Sequence, residues 1–198
     1  MPSLVIERAS NRQWSLKPQD LVVALKLLVS PAAFANYRSL GASIFLSQFE
    51  AHAAIQRLQA CRLLVGERAL QHRALHQFLI YGARYCFPVL RGEMTIGTPT
   101  AYAVAPLRDL IHFADDAPPV WPHAEGEVRG VRLTPLYAKQ PLAALADPKL
   151  HQALALFDAL RIGGVRERKL ATEHLDALFP VHAHSVDELS GSKSGNGW

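Results

Sequence analysis

"SLGASIFLSQFEAHAAIQRLQACRLL", residues 39–64, decides how the chain is read. Ser47 stands three residues before Glu50, so the Ser47 hydroxyl can accept a backbone N–H of the next turn while Glu50 reaches back to the N–H of Ser47. This capping box predicts a helix from Gln48 to about Cys61. At helical spacing, Ala51, Ala54, Ile55, Leu58 and Cys61 form one stripe that must face a core. Phe49, His52, Ala53 and Gln56 fall on the opposite side, with Gln48 at its edge. An exposed helix face is ordinarily made soluble by Lys and Glu; this one offers amide, imidazole, aromatic and small groups.

Upstream, "SLKPQDLVVALKLLVSP" predicts a first helix. Pro18 suits the first helical position, Asp20 favours the positive end of the helix dipole, and Leu21, Leu25 and Leu28 share a face until Pro31 stops the run. A second, short helix is expected over Ala33 to Leu40, carrying Phe34, Tyr37 and Leu40 on one side and capped by Gly41. Two helices joined by a short glycine-containing turn, with an earlier helix to close the core, make a helix-turn-helix. Downstream, "RLLV" and a tight turn at Gly66 leave room for only a minimal wing, and Leu75, Phe78 and Leu79 mark a further helix that Gly82 ends.

From "SLKPQDLVVALKLL" through "YRSLGASIFLSQFEAHAAIQRLQACRLL" the chain resembles the winged helix-turn-helix domain of bacterial transcriptional regulators of the MarR and IclR type, in which "LSQ" opens the recognition helix and an "RL…LL" run ends it. The resemblance covers about 50 of the 198 residues and implies DNA binding through residues 48 to 56. Where such regulators place a glycine after the recognition helix, this chain has Cys61-Arg62.

Charge is distributed in keeping with that expectation. Residues 1–84 carry ten Lys and Arg against four Asp and Glu, a net +6, whereas residues 85–198 carry eleven against thirteen, a net −2. A basic half joined to a nearly neutral one fits a polyanion-binding module attached to a module with another task. The expected base readers are Gln48, Phe49, His52 and Gln56, and the expected phosphate contacts are Arg38, Ser47 and Arg57, with Arg62 close by.

Beyond residue 84 the composition shifts to Pro, Gly and aromatics, with "EGEVRGVRL" the best strand candidate. Helix returns at "DPKLHQALALFDALR", where Asp147 can cap, Pro148 sits in the first turn, and Leu150, Leu154, Phe157 and Leu160 form a stripe. After "IGG" a last helix, "VRERKLATEHLDALF", turns Leu170, Leu175 and Leu178 inward, and a mobile tail follows. The expected fold is α+β and mostly helical. Residues 1–83 would form the winged helix-turn-helix, 84–180 a mixed strand and helix region for dimerisation or partner binding, and 181–198 the tail.

Other chemistry finds little support in the residues. His72 and His76 stand four apart without a third ligand near them and read as a solvent-facing pair; His182 and His184, in the tail, read the same way. Asp115-Asp116 and the Glu125/Glu127 pair belong to turns, and "GSKSGNG" lacks the spacing of a phosphate loop. Arg161, Arg166, Arg168 and Lys169 read as a solvated helix face. No catalytic residue, metal or cofactor is expected, and the chain is not expected to be an enzyme. Cys61 and Cys86 stand apart from any ligand spacing, "MPSLVIERAS" is unlike a signal peptide, and the apolar run broken by Lys26 and Pro31 is too short to span a bilayer, so a cytoplasmic setting is expected. The expected function is sequence-specific binding of double-stranded DNA by a homodimer. The alternative is a protein-interaction adaptor or antitoxin-like partner that uses the same helices.

Overall fold

The structure, a computed structural model, describes residues 14–111 and 117–179. The tail with His182 and His184, the "GSKSGNG" run and the Asp115-Asp116 pair lie outside the described residues. Helices dominate, and two small sheets make the architecture α+β.

The chain opens with α1, Pro18–Val29, whose Asp20 carboxylate accepts the Lys17 N–H at 2.7 Å as the N-terminal cap. Its expected single apolar face is a correction: every residue from Asp20 to Leu27 is buried, so α1 is the central rod of the molecule. A 3₁₀ turn over Pro31–Ala33 leads to α2, Tyr37–Ser43, which starts later than expected because Asn36, accepting the Ser39 N–H at 2.8 Å, is its cap. Four residues later α3, Gln48–Ala60, begins at the Ser47/Glu50 capping box.

Gly41 does not end α2; the helix runs two residues beyond it. Its function is clearance: a Cβ there would stand 2.6 Å from the Leu46 carbonyl oxygen, so only glycine lets the connecting turn lie against α2. The left-handed residue of that turn is Phe45, at φ 56. After α3, a hairpin of two-residue strands, β1 (Leu64–Val65) and β2 (Ala69–Leu70), turns through Gly66 at φ +56.

The next helix does not stop at Gly82. Helix α4, His72–Gln77, passes through a π turn over Phe78–Gly82 into α5, Ala83–Cys86, so the expected boundary between residues 83 and 84 falls inside one helical run. Beyond it β3 (Arg91–Pro99), α6 (Leu107–Leu110), β4 (Pro119–Pro122) and β5 (Val128–Leu133) follow. The three strands close on themselves, with β3 antiparallel to both partners and β4 parallel to β5. Helices α7 (Gln140–Ala146), α8 (Pro148–Ile162) and α9 (Val165–Asp176) complete the described chain.

One buried cluster runs from Leu21 to Phe179, with α1 packed against α3 and α8. Two polar links tie the expected halves together. Lys26 of α1 meets the Asp147 carboxylate at 2.6 Å, joined by the Ser30 hydroxyl at 2.9 Å, and the Tyr137 hydroxyl donates to the Ile44 carbonyl in the α2–α3 turn at 2.5 Å. Desolvation pushes the Tyr137 phenol far above its ordinary range, so it remains a donor. Among the described residues, no helix is long and apolar enough to cross a membrane.

Candidate nucleic-acid interface

Of the expected core stripe of α3, Ala51, Ala54, Ile55 and Leu58 are buried, whereas Cys61, just past the end of the helix, is half-buried. Because that stripe is held against α1 and α2, the first turn of α3 projects into solvent. Phe49 is 76% exposed, Gln48 and His52 are exposed, and Gln56 is half-buried.

Between α2 and α3 lies an open groove of about 540 Å³, lined by Asn36, Tyr37, Arg38, Gln48, Phe49 and His52. Three of the four expected base readers and one expected phosphate contact therefore share one surface. Gln56 is not among the lining residues. The groove has a built floor: the His52 ring stands edge-on to Tyr37 at 4.8 Å, Tyr37 leans on Phe34 at 5.4 Å, and the Tyr37 hydroxyl donates to Glu67 at 2.8 Å. Among the described residues Arg38 contributes the only full formal charge of the lining; it is exposed, and no acidic side chain of those residues pairs with it. Asn36 and Tyr37 were absent from the expected site. The signal lies in the sequence, since Asn immediately before a helical run is a strong cap, but the expected helix over Ala33 to Leu40 begins four residues before the observed one.

Two expected phosphate contacts have partners within the fold. The guanidinium of Arg57 grips Asp20 through two parallel hydrogen bonds, Nε to Oδ2 and Nη2 to Oδ1, each 2.6 Å. Asp20 is fully buried and the Arg57 side chain only 13% exposed, so this cation is spent inside the fold. The Asp20 hydrogen bond, with its charge, outweighs desolvation and holds the Arg57 pKa above its ordinary value.

Ser47 is likewise committed. Its hydroxyl donates to the Glu50 carboxylate at 2.8 Å and accepts the Glu50 N–H at 3.2 Å, while the Ser47 N–H donates to the same carboxylate at 2.9 Å. The Ser47 backbone and side-chain hydrogen bonds, helped by the charge of Lys139, keep Glu50 ionised below the usual carboxylate range. Ser47 therefore serves as the cap of α3, with an anion held beside it.

Of the other basic and imidazole residues, Arg166 and Lys169 are exposed on α9 as expected, whereas Arg161 and the His72/His76 pair are not exposed. The Arg161 side chain is 2% exposed and paired with Asp158, a buried carboxylate that also accepts from Thr100 at 2.8 Å and from the Trp121 indole at 2.7 Å. This buried network ties α8 to the sheet through Trp121. His72 and His76 do not face solvent as a pair: both stand edge-on to Phe179, and His76 Nε2 lies 2.5 Å from Asp176. Among the described residues no group of three or more His, Cys, Asp and Glu is placed to hold a metal.

What the surface offers is an amide, an imidazole, an aromatic ring and one free guanidinium at the start of a solvent-projecting helix. No protein family, curated protein or solved structure matches the chain.

Proposed function

We propose that the chain is a sequence-specific regulator that binds double-stranded DNA through α2 and α3, with the first half of α3 in the major groove, and that it works as a homodimer. The carrying observation is the α2–α3 groove, whose lining combines base-edge chemistry from Gln48, Phe49 and His52 with the unpaired cation of Arg38. A helix of this kind reads base edges while neighbouring cations fix register on the phosphates. The β1–β2 hairpin that follows α3 has only two residues in each strand, and a winged helix-turn-helix with a minimal wing is the finer fold assignment proposed with this function. One unit reads few base pairs, which is the reason for proposing a two-fold dimer with half-sites about one helical turn apart.

The test is selection of bound duplexes from random DNA, followed by a salt series on the enriched sequence. Gln48→Ala should relax preference at one position with the salt slope unchanged, and Arg38→Ala should weaken binding to all sequences and reduce the slope by about one. No enriched sequence, or affinity indifferent to salt, overturns the proposal. A second reading, a protein-interaction adaptor or antitoxin-like partner, draws on Tyr81 and Tyr85, 72% and 73% exposed on the helical run after the hairpin. Its signature is partner binding that salt scarcely weakens.

A further inference from the structure

Resting on the duplex-DNA reading, we infer that Phe49 is the residue that reads the C5-methyl group of a pyrimidine, which makes the protein sensitive to the methylation state of one base. Phe49 is the second residue of α3, is 76% exposed, and shares the lining of the α2–α3 groove with Tyr37, Gln48 and His52. Its neighbours in the chain are spoken for: Gln48 presents an amide to the groove, and the Glu50 carboxylate is folded back onto Ser47. Phe49 itself has neither donor nor acceptor, so it cannot bind phosphate or pair with a polar base edge. In the major groove of B-DNA the apolar feature available to such a side chain is the C5-methyl of thymine, which cytosine lacks until it is methylated. The groove supports this assignment because Tyr37 and His52 give it an aromatic floor, and among the described residues the nearby Glu67 carboxylate is engaged by the Tyr37 hydroxyl while the lining itself carries none.

The same geometry makes Gln48, one residue before Phe49, the partner for an adenine at an adjacent step, so the expected contact lies in an A·T context. A methyl contact of this size is worth roughly fourfold in affinity.

The experiment uses the full chain and the duplex enriched by selection, remade with each thymine replaced in turn by deoxyuracil, which removes only the methyl. One position in each half-site should lose roughly fourfold in affinity. A cytosine at that position should bind as weakly as uracil and recover when methylated at C5. In Phe49→Ala, thymine and uracil at that position should bind equally, while the variant keeps the parent's melting behaviour. The inference is overturned if no thymine is sensitive in the parent, if the sensitivity persists in Phe49→Ala, or if Phe49→Ala instead changes the mass of the protein in solution, which would place the ring against a second copy. Those outcomes leave selective, salt-dependent DNA binding intact. Failure to enrich any duplex removes the DNA reading and this assignment with it.

Discussion

Replacing Arg57 by alanine should damage the fold and leave the DNA surface as it was. In the parent, two hydrogen bonds of 2.6 Å join Arg57 to a carboxylate with no solvent exposure. The variant strands that charge with one remaining donor, the Lys17 N–H at 2.7 Å. Removing one partner of a buried pair costs about 3–5 kcal/mol, and the surviving hydrogen bond places the expected loss near 3 kcal/mol. With domains of this kind stable by about 5–15 kcal/mol, the loss is a large fraction of the total. In urea, at a slope of about 2–3 kcal/mol/M, the midpoint should fall by roughly 1 M. Circular dichroism across a urea series at neutral pH measures it. The double variant Asp20→Asn with Arg57→Met should recover at least half of the loss, because the asparagine still caps Lys17 and no charge is left buried. A single-variant loss below about 1 kcal/mol, the value of an exposed pair, would refute the reasoning, as would a double variant no more stable than the single one. DNA binding by the folded fraction should keep the parental salt slope.

Two further outcomes follow from local geometry. Arg62 occupies the left-handed position after α3 at φ 57, and the Leu63 N–H reaches back to the Leu58 carbonyl at 2.9 Å, the arrangement in which glycine is normally found. Arg62→Gly should therefore raise stability by about 0.5–1 kcal/mol net of the extra freedom of the unfolded chain, a gain of roughly 2 °C in thermal midpoint; an unchanged or lower midpoint would show that the position is unstrained. Asp147 responds to pH: burial pushes its carboxyl up, but hydrogen bonds from Lys26, Ser30 and the Leu150 N–H, with the Lys26 charge, more than offset this and hold it below its ordinary value. A carboxyl depressed on folding contributes stability above its unfolded value of about 3.9, and that stability is lost as pH falls through the lower folded value. Parent urea midpoints should therefore drop as pH falls from about 4, the unfolded value, down through the lower folded one. Asp147→Asn, which keeps the α8 cap, should be weaker at neutral pH and show a shallower drop; parallel curves would exclude this pair as a source of acid sensitivity.

Several elements were legible without coordinates because their determinants are short-range. The Ser47/Glu50 box started α3 at Gln48, Asp147 and Pro148 started α8, and "EGEVRGVRL" contained β5. Less legible were elements whose stability comes from elsewhere in the chain. The four residues of β4 begin and end in proline and form a strand only because β3 and β5 close around them. Helix α7 was missed, and its Gln140 is fully buried, accepting the Leu136 N–H at 2.7 Å. Gly41 looked like a cap because glycine often ends helices, yet its value lies in the turn that comes to rest against it.

For the candidate site the division is sharper. Sequence by itself determined that α3 would hide its alanine, isoleucine and leucine side and present Gln48, Phe49 and His52 outward, because helical periodicity and a cap set a helix's rotation on any core. Only the tertiary structure decided which cations stay free to meet an anion. Arg57 is consumed by a carboxylate 37 residues away and Lys26 by one 121 residues away, while Arg38 is left at the rim of the groove. The physical reason is that charges pair through space, so their availability depends on which distant segments the core brings together.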